Sequence, residues 1–186
     1  REVEEIIERL KKLLKEIAER NTESIKELEE LVRRIAEDNK RIIEELRRLL
    51  EELADVVRKK GSESREVEEK VREVLRRLEK LLEDVRRINE DALRKIEELV
   101  KRDADENRTV LKRLEELVRD VARRIGDEKK VREVRKVAEE VLRAIEELDK
   151  RSRDAVRRVT KRVKDLDEET KRVVEDVLRR IEELMK

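Results

Sequence analysis

The groups that could do chemistry in this chain are carboxylates, amines, guanidiniums, a few hydroxyls and four asparagines. His and Cys are absent, and so are Phe, Tyr, Trp and Pro. Without His the commonest general base and metal ligand is missing. Without Cys there is no thiolate nucleophile, disulfide or cysteine-ligated metal. Without aromatics there is no platform on which nucleobases could stack. The abundant Glu could suggest a carboxylate di-metal bundle, but such sites need a Glu-x-x-His element that a chain without His cannot supply. The sequence therefore implies no catalytic residues, no cofactor and no metal. Asn107-Arg108-Thr109 matches a glycosylation sequon, and its mid-helix context points to chance.

The polar residues with informative spacing are of another kind. Asn21 and Asn39 fall on an apolar stripe eighteen residues apart. Asn89 and Asn107 repeat that interval further along, and Ser152 and Thr170 repeat it again. Eighteen residues are five turns of an α-helix, about 27 Å, so each pair points the same way. Antiparallel packing then gathers them into two polar layers. One holds Asn21, Asp103, Asn107 and Ser152, with Asn21 facing Asp103 or Asn107. The other holds Asn39, Asn89 and Thr170. Asp149 and Asp167, also eighteen apart, stand at the flanks. Buried amides need partners, since an unpaired one costs about 1–3 kcal/mol. The competing readings place these residues at the solvent-exposed stripe edge, or around a polar ligand.

The elements that must position them are long helices. Charged residues make up 56% of the chain, against about 25% in an ordinary domain. That would suggest disorder were the Leu, Ile, Val and Ala not periodic. From Val3 to Val57 the core positions recur with a mean step of about 3.6 residues, which predicts nearly straight helices rather than a supercoil. Adjacent pairs such as Ile6-Ile7, Leu31-Val32 and Val173-Val174 widen the stripe beyond a simple coiled-coil seam. A stripe of that width calls for two neighbouring helices.

Two glycines, Gly61 and Gly126, cut the chain into three segments of about sixty residues. Each follows a cationic stretch and is expected to close a helix in the left-handed conformation. Ser62 and Asp127 follow as N-caps, with Ser64 a competitor for the first. The expectation is one all-α domain over 1–186, a straight antiparallel up-down-up three-helix bundle, coiled-coil-like. Helix 1 spans about 1–60, helix 2 about 63–125 and helix 3 about 128–185, each roughly 90 Å long.

Lys and Arg number 53 against 52 Asp and Glu, with the signs interspersed, so no basic stripe for a nucleic acid stands out. No apolar run exceeds two residues, which excludes a membrane-spanning helix.

Together the Gly-Ser and Gly-Asp loops, the Leu/Ile/Val core, the Glu/Lys/Arg surface and the Asn/Ser/Thr positions at regular intervals resemble de novo designed helical bundles with buried hydrogen-bond networks. The resemblance covers the whole chain. It implies a designed scaffold without a natural biochemical function, in which polar layers specify helix register. The alternative it implies is a binding module, a three-helix component that accepts a fourth helix or self-associates.

Overall fold

The computed structural model describes residues 2–186. Three helices account for nearly all of them: α1 (Glu2–Lys60), α2 (Arg65–Arg124) and α3 (Glu128–Met185). They form an all-α three-helix bundle. No strong helix breaker interrupts the helices, because Pro is absent and both glycines lie between elements. Acidic first turns and, in α1 and α2, basic last turns complement the helix dipoles.

The two connections differ. Gly61 has φ +78° and donates its backbone N–H to Val57 O at 2.9 Å, the left-handed closure expected of a glycine. Ser64 N then bonds to Gly61 O, so Ser62 and Glu63 are spent in a turn. The N-cap of α2 is consequently Ser64, whose carbonyl accepts the first helical bond from Glu68 N at 3.2 Å; Ser62 does not cap, and α2 begins two residues later than the sequence suggested. At the second connection Gly126 is not left-handed, contrary to expectation. Ile125 N still bonds to Val121 O, and Asp127 restarts the helix at once: its Oδ1 accepts from Lys129 N at 3.0 Å, and its carbonyl from Val131 N at 3.1 Å. The chain thus turns back into α3 without a left-handed residue, and Asp127 takes over the capping.

Internal contacts group into two compact units, each drawing on all three helices. Unit 1 is the stretch ending at Glu29 together with Lys95–Arg158; unit 2 is Glu30–Arg94 together with Val159–Lys186. In unit 1 the core packs Leu10 and Ile17 of α1 against Leu114 and Val121 of α2 and Val134, Val141 and Ile145 of α3. Ion pairs Glu2–Arg124, Arg20–Glu106 and Glu27–Arg102 follow the antiparallel course of α1 and α2 there. In unit 2 Leu46, Leu50 and Leu53 pack on Val74, Leu78 and Val85 and on Val174, Val177 and Ile181. Glu45–Arg77 and Glu52–Lys70 pair across α1 and α2 on the surface of that unit. Such exposed pairs contribute about 0–1 kcal/mol each. Burial of the aliphatic stripe carries the stability, at about 1.5–3 kcal/mol per buried side chain.

Candidate functional site: two polar clusters

Each unit contains one group of polar side chains within the aliphatic packing. In unit 1, Asn21 Nδ2 donates to Leu148 O at 3.1 Å and to Ser152 Oγ, tying α1 to α3. Asn107 Nδ2 donates to Asp149 Oδ1, tying α2 to α3. Ser24 Oγ donates to Asp103 Oδ1 at 3.1 Å, tying α1 to α2. Asn21 therefore makes no hydrogen bond to Asp103 or Asn107, the partners its spacing suggested. The α2 carboxylate meets Ser24 instead, one turn further along α1.

Ser24 went unrecognised in the sequence because Ile25, its neighbour, satisfies the apolar period equally well. The structure buries Ser24 and leaves Ile25 half-buried. The available signal was its interval of three residues from Asn21 and four from Leu28, which fits the inner face of a helix.

Asp103 is half-buried, and burial pushes its carboxyl above the ordinary carboxylate value. The Ser24 bond and the charges of Arg102 and Arg20 pull it down, while Glu106 adds to the rise. Those two guanidiniums pair with other carboxylates: Arg20 with Glu106 at 2.7 Å and Arg102 with Glu27 at 3.6 Å. An open cleft of about 570 Å³ lies beside this cluster, with Ser24, Asp103, Asn107, Asp149 and Ser152 among its lining. Leu28, Leu99, Leu111 and Val156 supply apolar wall.

In unit 2 the burial is deeper. Asn39 is 2% exposed and Thr170 is 1% exposed, and Asn89 is also buried. Asn89 Nδ2 donates to Asp167 Oδ1 at 2.8 Å, and Lys171 pairs with the other oxygen of Asp167 at 3.2 Å. Thr170 Oγ1 donates back to Leu166 O of its own helix at 3.0 Å. Asn39 Nδ2 and Oδ1 and Asn89 Oδ1 are buried without a hydrogen-bond partner. Asn39, Asn89 and Thr170 are thus all buried in unit 2 but do not bond to one another. An orphaned buried amide lowers stability by about 1–3 kcal/mol.

The two groups are built on one pattern. Leu148-Asp149-x-x-Ser152 in α3 returns eighteen residues later as Leu166-Asp167-x-x-Thr170. Asn21 of α1 is answered by Asn39, and Asn107 of α2 by Asn89. Ser24 and Asp103 have no polar counterpart at that interval, where Ile42 and Val85 stand, both buried.

No group of three or more Asp or Glu arranged to hold a metal occurs among the described residues. No helix among them is long and apolar enough to cross a membrane. No protein-family model matches the chain, and no curated protein does. Among solved structures, a computationally designed three-helix bundle superposes with a TM-score of 0.82 at 24% identity, covering 99% of this chain and 92% of that one. At that identity the likeness is one of fold: long helices folded as a three-helix bundle.

Proposed function

We propose that this chain is a designed structural scaffold without a catalytic role, and that its two polar clusters fix the register of the helices. The observation that carries the reading is Asn39, buried at 2% exposure with both ends of its amide unpartnered. Evolution or design toward stability alone would put Leu there, because an aliphatic side chain adds packing and removes the desolvation cost. A residue that costs stability has its use in specificity. An aliphatic core of near-uniform Leu, Ile and Val tolerates sliding by a turn, whereas a slide in unit 2 would break Asn89–Asp167 and carry polar groups into apolar layers. The same polar pattern eighteen residues along every helix supports deliberate placement. The fold shared with a computationally designed bundle agrees with that origin.

The test replaces Asn39 and Asn89 by Leu and Thr170 by Val together. The expected result is a variant at least as stable to denaturant as the parent, but with additional oligomers or registers. A variant that is less stable and still uniform would contradict the role in specificity.

A second reading, a module that takes a further helix or a second copy, draws on apolar side chains left at the surface of unit 1. Val100 of α2 is 43% exposed, and Leu142 of α3 is also exposed. Molar mass by light scattering separates the two: a monomer at micromolar concentration favours the scaffold, a stable dimer the binding module.

A further inference from the structure

The eighteen-residue repeat supplies an internal comparison for the cleft in unit 1. At three equivalent positions unit 2 carries larger aliphatic side chains. Among the residues that line the cleft, Ile42 stands where unit 1 has Ser24, Val85 where it has Asp103, and Leu82 where it has Val100. Leu81 and Val174 are buried in unit 2, while their equivalents Leu99 and Val156 are only half-buried. The substitutions remove apolar volume and introduce a hydroxyl and a carboxylate at one spot. They leave about 570 Å³ of open space, within the size range of small-molecule sites.

The chemistry of the space selects its occupant. Asp103 and Asp149 each give one oxygen to a side-chain donor, Ser24 and Asn107 respectively. Among the described residues neither forms an ion pair, and the guanidiniums nearest Asp103 are engaged by Glu106 and Glu27. Two carboxylates without cationic partners thus face a cleft whose remaining wall is largely aliphatic. Arg108, Arg153 and Arg157 also line it, but they are exposed, where solvent screens their charge.

We propose that this cleft is a binding site for a small primary ammonium carrying an apolar tail. The ammonium donates to Asp103 and Asp149, and the tail lies on Leu28, Leu99 and Val156. The site asks for a cation because a carboxylate partly removed from water gains most from a charged donor. It asks for a tail because the open aliphatic wall is otherwise left to water.

The test titrates the full-length, methyl-labelled chain with n-hexylammonium chloride, sodium n-hexanoate and n-hexanol, reading methyl shifts by NMR. Hexylammonium should give saturable shifts at Leu28, Leu99 and Val156, with half-saturation at least about tenfold below that of hexanol, and hexanoate should give none. Asp103→Asn should weaken hexylammonium about tenfold. Ser24→Ile with Asp103→Val, which copies the side chains of unit 2, should abolish the shifts while Leu46 and Val177 keep their parent positions. Comparable binding of hexanoate or hexanol, undiminished binding by the filled variant, or no saturable shift at 20 mM (roughly the weakest binding of interest) would each overturn the proposal.

Discussion

Asn89 donates its side-chain amide to Asp167 over 2.8 Å, while the oxygen of the same amide meets no donor. Among the described residues this is the one hydrogen bond of that side chain. Asp167→Ala should lower stability by about 1–3 kcal/mol, because it strands the Asn89 donors in an apolar surrounding. Adding Asn89→Leu to that variant should restore most of the loss, since no orphan then remains. Denaturant midpoints of the parent, the single variant and the double variant measure both effects.

The glycines should respond in opposite ways. Gly61 sits at φ +78°, where an L side chain is strained even though open space surrounds it, so Gly61→Ala should destabilise by about 1 kcal/mol. Gly126 is not left-handed and is equally unobstructed, so Gly126→Ala should be neutral or should stabilise by about 0.4–1 kcal/mol through the unfolded chain. Thermal unfolding of the two variants side by side checks the contrast.

The caps make a similar distinction. Asp127→Ala should cost about 1 kcal/mol, because it removes the acceptor for Lys129 N at the start of α3. Ser62→Ala, two residues before the Ser64 cap, should change the midpoint by less than about 0.5 kcal/mol.

How far these features could be read in advance depended on how strongly each was over-determined. Helix identity and number followed from periodic aliphatic residues, a chain without Pro, and glycines in only two places. Asn39, Asn89 and Thr170 could be singled out because each interrupts an otherwise aliphatic stripe. The individual bonds were less legible, because adjacent stripe positions differ by only about 100° around the helix and loop length leaves register open by a turn. Ser152 beside Asn21 and Asp167 at the flank of Asn89 followed from the eighteen-residue interval, whereas the bond of Asn21 to Leu148 O and that of Ser24, next to Ile25, to Asp103 did not. The loop geometry was less legible still: a Gly-Ser and a Gly-Asp look alike in sequence, yet Gly61 adopts the left-handed conformation and Gly126 does not.

Asp103 gives a pH dependence of definite sign. Burial raises its pKa in the folded state, so the folded chain holds the proton more tightly than the unfolded one. That contribution to stability is complete below the ordinary carboxylate value and is lost as pH rises through the folded value. At neutral pH the charged carboxylate is therefore a net cost. Asp103→Asn keeps an acceptor for Ser24 and removes the charge, so it should unfold at higher denaturant than the parent at pH 7. The gap should close on acidification below about pH 4, as the parent carboxyl takes up its proton. Urea unfolding of both chains across pH 3–7 measures the convergence.

The claim that buried polar residues fix register rests most directly on the methyl spectrum of the combined Asn39→Leu, Asn89→Leu and Thr170→Val variant. In the parent, Ile42, Leu46, Val85 and Val174 should each give one set of methyl resonances. In the variant the same methyls should multiply into several slowly exchanging sets, with denaturant stability equal to or above that of the parent. A variant that keeps a single set of resonances in the parent's pattern of cross-helix contacts would contradict the claim, because an all-aliphatic core would then specify the register unaided.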